Sequence, residues 1–330
     1  DGHTHISPNA ADAHYMKHIY ENKKKNSQLV GINGVSLSDF LHQNPYIVSY
    51  ETESYGIKMV KNYSSSLEGL MYLGIDISGP ITYNYMSEEG ETYDVVVKAE
   101  DFLPMEEYLN YEEEITGDDL HTESENPDFV YYEIDEKKSL AILTLTSCEY
   151  NEHYRDVVQA MFKEVADKNI KNVAVDLGNN PGGSSMVADE FIHYLDVDQY
   201  RSWACEQRVG CFMINHKACD IKNTKKGQGF AGNVYVMTSI SSFSAAMDFA
   251  MLIQDNGLGQ VVGEPCGNMP ASYGEIAYFS LPESGLYMQV SSKNWHRVDE
   301  SKEDLPILPD YPCDYFNAMD TLYDILDGKE

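Results

Sequence analysis

The second half of the chain alternates short apolar runs with longer amphipathic stretches. Runs such as FVYYEI, LAILTLTS, NVAVDL, GNVYVMTS and GQVVGE begin between residues 129 and 259. Short, continuously apolar segments of this kind predict strands buried on both faces of a sheet. Segment 152–170 spaces its apolar residues at helical intervals and predicts an amphipathic helix. Alternating strands and helices predict an α/β core that contains parallel strands.

The first half of the chain shows a different pattern of apolar and polar residues. Ser7 and Pro8 suit the cap and first turn of a helix, which we expect to continue through AADAHYMKHIYEN. The segment QLVGINGVSLSDFL predicts a strand, a tight turn at Asn33–Gly34 and a short helix. Residues 49–73 are predicted to be helical, and alternation around Gly90 predicts a hairpin.

An acidic, polar stretch separates these two halves. Residues 112–128 carry many carboxylates with one glycine and one proline, which is typical of a linker. The sequence therefore predicts two domains. Residues 1–125 form a smaller N-terminal α+β region, and residues 126–330 form the larger α/β core.

The charge balance excludes some classes of function. The 330 residues include 23 basic and 54 acidic side chains, a formal net charge of −31. Such a chain is a poor binder of nucleic acid or of an anionic membrane. No apolar stretch approaches the roughly 18 residues of a membrane-spanning helix. The sequence does not begin with Met, so we expect a mature or trimmed product from an extracellular or cell-envelope location.

The six cysteines do not suggest a metal site. They form no C-x-x-C pair and have no histidines at zinc spacing. Cys205 and Cys211 could close a small disulfide loop, but buried free thiols fit the same sequence equally well. The pairing therefore stays open.

The opening segment DGHTHISPNA places two histidines behind an aspartate. Asp1, His3 and His5 resemble the string with which amidohydrolase barrels bind zinc. A chain with His third could also chelate copper or nickel through a free N-terminus. Alternatively, His3 is a general base whose nucleophile lies far away in sequence, and His5 is structural or solvent-facing.

Two strand ends offer a site for acyl chemistry. The run VAVDL leads into a loop at 179–183 that contains Gly182 and Gly183. Glycines there could aim backbone N–H groups into an oxyanion site, although an ordinary turn has the same appearance. Ser244 lies at a predicted helix start, where it is either a nucleophile or a helix cap. The G-x-S-x-G, S-x-x-K, P-loop and dinucleotide-binding signatures do not occur in the sequence.

Five segments together resemble the S41 family of serine peptidases, which comprises the C-terminal processing or tail-specific proteases and their tricorn-like relatives. The matching segments are Asp1 to Thr4, Asp176 to Gly183, Ser242 to Asp248, Gly263 to Gly267, and Pro309–Asp310. Their order also agrees with the family, and the resemblance is strongest from about residue 130 to residue 312. It implies a ClpP/crotonase-like α/β protease core.

The resemblance also implies a mechanism. Ser244 would form the acyl-enzyme of a serine endopeptidase acting on peptides or unfolded proteins. Backbone N–H groups of Gly182 or Gly183 and of Ala245 would hold the oxyanion. No metal or organic cofactor is implied. At the third position of the D-L-R string the family has arginine, and this chain has Gly178.

The choice of base distinguishes the two branches of the family. Tail-specific proteases pair the serine with a lysine shortly after the G-E-x-x-G turn, whereas this chain has Asn268 and Met269 there and no lysine between Lys226 and Lys293. The chain therefore resembles the tricorn-like branch, which uses serine, histidine and glutamate.

The resemblance then assigns the other two members of the triad. It makes His3 the base and Glu303, seven residues before Asp310, the orienting acid. Glu300 and Asp304 are the second choices for that acid.

Three alternatives remain beside the peptidase hypothesis. Zinc hydrolysis would need further His and Asp ligands after later strands, and these strands end without them. A noncatalytic protein of the same fold would bind an apolar ligand or a peptide. A scaffold role at a cell envelope would rest on the acidic, Tyr-rich composition alone. The segment LVGINGVSLSDF also resembles the loop in which relatives carry a PDZ-like module or its remnant.

Overall fold

A computed structural model describes residues 14–16, 27–87, 89–108 and 128–329 of the chain. The described residues form two compact units, one up to residue 127 and one from Asp128 onward. The predicted linker, apart from Asp128, and the predicted boundary after residue 125 lie outside the described residues.

The described part of the first unit contains both strands and helices. Its strands are β1 (His14–Met16), β2 (Gln28–Ile32), β3 (Val35–Ser36), β4 (Ile81–Met86), β5 (Thr92–Val97) and β6 (Phe102–Pro104), and its helices are α1 (Leu37–Gln43), α2 (Glu53–Tyr63) and α3 (Leu67–Tyr72). Four strands form an antiparallel sheet in the order β3-β2-β4-β5, and β1 pairs with β6. Buried residues from the sheet and the helices form one apolar core.

Two predictions for this unit are confirmed, and two need correction. Asn33 and Gly34 both have positive φ in a tight turn between β2 and β3, and the hairpin of β4 and β5 turns around Gly90. The helix predicted over 49–73 is two helices, because the Ser66 side chain accepts a hydrogen bond from the Gly69 N–H and starts a new one. The helix predicted from Ser7 is wrong at His14–Met16, which is a strand.

The second unit has an α/β core. Its strands are β7 (Val130–Asp135), β8 (Leu140–Leu145), β9 (Asn172–Asp176), β10 (Gln199–Arg201), β11 (Ala204–Val209), β12 (Phe212–His216), β13 (Asp220–Lys222), β14 (Asn233–Thr238), β15 (Gln260–Gly263), β16 (Tyr273–Ser280), β17 (Tyr287–His296) and β18 (Tyr311–Pro312). Its helices are α4 (Glu152–Asp167), α5 (Met186–Ile192), α6 (Ala245–Asp255) and α7 (Ala318–Leu326).

Six of these strands form the central sheet in the order β18-β15-β14-β9-β8-β7. The pairs from β8 to β18 are parallel, and β7 is antiparallel to β8. Helices α4, α5 and α6 contribute to the large apolar core on one face, and α7 packs with the other face. The predicted α/β class with parallel strands is therefore confirmed, and so is the amphipathic helix in 152–170.

A second sheet in this unit is absent from the sequence prediction. Strands β12, β11, β17 and β16 form a four-stranded antiparallel sheet in that order. Its outer strands are rich in apolar residues that are nevertheless exposed. The usual link between hydrophobicity and burial therefore fails here.

All six cysteines are free thiols, so the small loop between Cys205 and Cys211 is not closed by a disulfide. Cys205 is buried and Cys211 is exposed. Within the part of the chain that the structure describes, no helix has the length and apolar character needed to cross a membrane.

Candidate active site

Ser244 occupies the junction between strand β14 and helix α6. It stands directly before the first helical residue, as the sequence predicts, but its side chain makes no capping hydrogen bond. Its backbone has φ 54° and ψ −123°. A serine in this left-handed region carries strain of roughly 1–3 kcal/mol, which surrounding contacts must offset. Ser244 is therefore not an ordinary helix cap.

The hydroxyl of Ser244 is accessible. The residue is exposed although the helix that follows it is largely buried. Among the described residues, the hydroxyl has no hydrogen-bond partner. The backbone thus presents an unengaged oxygen at the N-terminal end of α6, where the helix dipole favours developing negative charge.

Asn268 holds the strained serine in place. Its Oδ1 accepts a hydrogen bond from the Ser244 N–H at 2.8 Å, and its Nδ2 donates to the Met269 carbonyl at 3.1 Å. The next residue back, Gly267, donates its N–H to the Ser242 carbonyl at 3.0 Å. Asn268 is 4% exposed, so its amide is shielded from competing water. The sequence prediction gave this residue no role.

The loop with two glycines lies directly against the serine. A Cβ at Gly182 would come within 2.7 Å of both the Phe243 carbonyl oxygen and the Ser244 Cβ. Gly182 and Gly183 have φ of 105° and 140°, which other residues rarely adopt. Glycine is therefore required for the loop to approach Ser244 this closely.

The three predicted oxyanion donors are not equivalent. The Gly182 N–H already donates to Asn180 Oδ1 at 2.8 Å. Within the described residues, the N–H groups of Gly183 and Ala245 have no acceptor. Ala245 is the first residue of α6, so its N–H has no partner inside the helix. Gly183 and Ala245 are thus the better candidates for the oxyanion donors.

Asn180 joins the glycine loop to its surroundings. It is fully buried, and its Nδ2 donates to the Leu145 carbonyl at 2.8 Å. Its own carbonyl accepts the Phe243 N–H at 3.0 Å. Asn180 therefore connects the end of β8, the glycine loop and the serine loop. The sequence shows the residue within its loop, but only the fold shows these partners.

Gly178 has a structural explanation. A Cβ at this position would overlap the ring of Tyr315. The Tyr315 hydroxyl donates to both carboxylate oxygens of Asp176, at 2.9 and 3.0 Å. The Tyr315 ring fills the space that a side chain at position 178 would need. Glycine in place of the family's arginine therefore leaves no cavity at this point.

The thiols near the serine are unsuited to nucleophilic chemistry. Cys148 pairs with Gly183 in an isolated bridge, and Cys266 precedes Gly267 in sequence. Burial raises the pKa of each of these thiols to about 12, so both stay protonated near neutral pH. Burial also raises the pKa of the Asp248 carboxyl, one turn beyond Ser244, to about 7.

Glu303 has two polar partners among the described residues. Its Oε1 lies 2.6 Å from His296 Nδ1, and its Oε2 accepts the Arg297 N–H at 2.9 Å. The Arg297 side chain donates to both oxygens of Asp255, at 2.9 and 2.8 Å.

Asp255 is the last residue of α6, and Ser244 stands before the first. At 1.5 Å per residue the helix separates these ends by about 16 Å. The described contacts therefore place Glu303 near the end of α6 remote from Ser244.

His3 and His5 lie outside the described residues, so their roles stay predictions. Of the second choices for the acid, Glu300 lies 3.4 Å from Arg201 in an ion pair, and Asp304 is exposed. Among the described residues, no cluster of His, Cys, Asp and Glu is arranged to hold a metal ion.

The family segments at Gly263 to Gly267 and at Pro309–Asp310 support the elements around Ser244. The Glu264 side chain accepts the Ile240 N–H at 3.2 Å, which supports the loop before Ser244. Asp310 Oδ2 accepts the Val261 N–H at 2.8 Å and Gln254 Nε2 at 3.0 Å. Asp310 therefore fixes strand β15 and helix α6 relative to each other.

Comparisons with known proteins agree with this arrangement. The model of peptidase family S41 matches residues 139–313, more than half of the chain, including both the glycine loop and Ser244. No curated protein sequence matches the chain.

Two solved structures of CPAF show the same fold. Mature CPAF aligns with a TM-score of 0.56 and 13% identity, over 92% of this chain and 76% of the other. A mutant form of CPAF gives 0.59 and 11%, over 96% and 81%. The photosystem II D1 C-terminal processing protease gives 0.46 and 11%, over 93% and 69%. At these identities, the likeness to CPAF establishes a shared fold.

Proposed function

The chain belongs to peptidase family S41 and is a serine-type peptidase, and on that premise we propose that Ser244 is the nucleophile. The observation that carries this proposal is the strained backbone of Ser244, which presents an accessible hydroxyl beside Gly182. Backbone strain of this kind accumulates where geometry must be fixed for chemistry. The two nearby thiols are too weakly acidic to compete as nucleophiles.

The proposed reaction is acyl transfer to serine followed by hydrolysis. The Ser244 Oγ attacks the carbonyl carbon of a peptide bond while a base removes its proton. The N–H groups of Gly183 and Ala245 hold the resulting oxyanion, each contributing roughly 3 kcal/mol to the transition state. The proton passes to the leaving amine as the C–N bond breaks. Water then attacks the ester and restores the free serine.

His3 is the base in this proposal. The support is the resemblance of the DGHT string to the family's histidine motif, together with Asn268 in the place of the lysine of the other branch. Asn268 uses its Oδ1 on a backbone N–H and cannot take a proton from the hydroxyl.

Glu303 is the acid that the family resemblance supplies. Its two oxygens are engaged by His296 and Arg297 among the described residues. In the proposal, Ser244 and His3 therefore perform the proton transfer and the nucleophilic attack. The variant Glu303→Gln tests whether Glu303 contributes to catalysis.

Substrate and location follow from the same resemblance. We propose that the substrates are unstructured polypeptides and that, as in the tricorn-like branch, a histidine is the base. An extracellular or cell-envelope location is also proposed, and fractionation of the producing cells tests it. Recovery of the protein from the cytosol alone would contradict that location.

Ser244→Ala tests the catalytic assignment. We expect loss of hydrolysis of an unfolded protein, while the temperature of unfolding stays within a few degrees of the parent value. Ser272→Ala is the matched control, because Ser272 is a partly buried serine in the segment between Asn268 and β16. Equal loss of activity in both variants, or no loss in Ser244→Ala, would contradict the assignment.

A further inference from the structure

The distal part of the β16–β17 hairpin is a ribbon of two strands with solvent on both faces. Strand β11 pairs with β17 only at Lys293–His296. Beyond that point, 276–280 pairs with 287–291, and among the described residues no further strand pairs with either side. An isolated two-stranded hairpin is marginally stable in water. We call residues 276–291 the ribbon.

One face of the ribbon is entirely apolar. Cross-strand partners Ala277 and Val290, and Phe279 and Met288, lie on this face because side chains alternate along each strand. Leu281 and Leu286 extend it toward the turn, where the Leu281 N–H donates to the Leu286 carbonyl at 2.8 Å. The face consists of Ala277, Phe279, Leu281, Leu286, Met288 and Val290, and all but Ala277 are exposed. The opposite face is mixed and carries Ile276, Tyr278, Ser280, Tyr287, Gln289 and Ser291.

The area of the apolar face suits an interface. Its five large side chains are 41–48% exposed. At roughly 200 Å² for a fully exposed side chain of this size, they offer roughly 450 Å². Two such faces packed together would bury roughly 900 Å², close to the approximately 1,000 Å² expected of a specific protein–protein contact. An exposed apolar patch of this size is often functional.

The charge distribution indicates which kind of partner binds the apolar face of the ribbon. The chain carries a net charge of −31, yet Glu283 is the one charged residue between 276 and 291. A basic partner would be drawn to the acidic surface elsewhere, and an anionic membrane would be repelled by it. A neutral apolar face is where two acidic copies can approach each other without direct charge repulsion.

We propose that the ribbon is the contact between two copies of this chain. The apolar face of one ribbon packs on the same face of the other across a two-fold axis, so that Phe279 and Met288 of each copy are buried. Such an isologous contact needs a self-complementary surface, and a continuous apolar face provides one. Pairing also supplies the packing that a solvated two-stranded ribbon lacks.

The test is the oligomeric state of the intact chain, measured by sedimentation velocity over a range of micromolar concentrations. The parent protein should be a concentration-dependent dimer. The double variant Phe279→Glu with Met288→Glu should be monomeric, because four carboxylates would meet at the axis. The matched control is Tyr278→Glu with Gln289→Glu, an adjacent cross-strand pair on the opposite face, and it should still form dimers.

Several outcomes would overturn the proposal. These are a monomeric parent protein, a dimer that survives Phe279→Glu with Met288→Glu, or equal loss of dimer in both double variants. Binding of the monomer to phosphatidylcholine vesicles through Phe279 would assign the face to a lipid surface instead. Unchanged unfolding temperatures and peptidase activity in both double variants would show that the ribbon substitutions leave the core and the Ser244 site intact.

Discussion

The amide oxygen of Asn268 accepts the backbone N–H of Ser244 at 2.8 Å, and this bond connects the proposed nucleophile to the loop that follows strand β15. In the branch of the family that uses lysine as the base, the lysine lies shortly after the same turn. Here the side chain supports the backbone of the serine, so in the proposed mechanism the base comes from another part of the chain. The contact therefore links the strained conformation of Ser244 to the proposal that a histidine is the base.

Loss of the Asn268 amide should impair catalysis more than binding. Asn268→Ala leaves the Ser244 N–H without its acceptor, so we expect kcat to fall at least tenfold while KM changes little. Leaving a buried donor unpaired should also lower the free energy of unfolding by about 1–3 kcal/mol. Steady-state kinetics and urea unfolding measure the two effects.

The conservative variant distinguishes positioning from mere loss of stability. Asn268→Asp keeps an oxygen that can accept the Ser244 N–H, so part of the lost kcat should return. If Asn268→Ala retained full kcat, or if Asn268→Asp were no better than Asn268→Ala at equal stability, the positioning role would be wrong.

Gly182→Ala should inactivate the enzyme. Its Cβ would lie 2.7 Å from the Phe243 carbonyl and from the Ser244 Cβ, so the loops would have to separate. Gly210→Ala is the control, because Gly210 also has positive φ, 61°, but its Cβ would meet nothing within 4 Å. Alanine at 210 carries left-handed backbone strain of roughly 1–2 kcal/mol, so this variant shows the effect of strain without the close approach. Only Gly182→Ala should lose activity, and similar kinetics for the two would argue against a close approach to Ser244.

Asp248 should make stability depend on pH. Burial raises its pKa from 3.8 to about 7, so the folded protein binds the proton more tightly than the unfolded chain does. The contribution of this group to the free energy of unfolding is then largest below about pH 4 and falls as pH rises toward 7.

Asp248→Asn should remove that decline. Above pH 7, the variant should be more stable than the parent protein by on the order of 2–4 kcal/mol. Denaturant unfolding at several pH values measures the difference. A parallel pH dependence in the parent and the variant would show that Asp248 is not the group responsible.

Glu303→Gln separates a structural role from a catalytic one. The carboxylate of Glu303 is the main cause of the raised pKa of His296, and the Glu206 carboxylate also contributes. The ion pair stabilises the fold fully below the ordinary histidine pKa of 6.5, and this contribution is lost as pH rises through the raised value. The variant should therefore lose about 1 kcal/mol of the free energy of unfolding in acid. NMR titration should show a lower pKa for His296 than in the parent protein.

From the described contacts, we expect kcat of Glu303→Gln to stay within a few fold of the parent value. A fall of a hundredfold or more with the His296 pKa unchanged would contradict the structural role and assign Glu303 to the triad.

Local sequence patterns predict the parts of the fold that depend on local physics. The buried strands of the central sheet and helix α4 follow from apolar runs and helical spacing, and the turn at Asn33–Gly34 follows from two residues that tolerate positive φ. The wrong helix at His14–Met16 has the opposite cause. Those residues pair with Phe102–Pro104, and a partner so distant in sequence leaves no local signal.

The candidate site likewise contains residues that the sequence reveals and contacts that only the fold reveals. Ser244 and the glycine loop are visible in the sequence because each follows an apolar strand. The contacts of Asn268, Asn180 and Glu303 are not visible, because an amide or a carboxylate takes its role from whatever the fold brings to it.

The most direct test of the account is covalent labelling of the intact chain with a fluorophosphonate, followed by mass-spectrometric mapping of the adduct. We expect one major adduct, on Ser244, and its loss in Ser244→Ala but not in Ser272→Ala. An adduct on a different serine, or an unlabelled Ser244 in a preparation that hydrolyses unfolded protein, would contradict the central claim that this strained serine is the nucleophile.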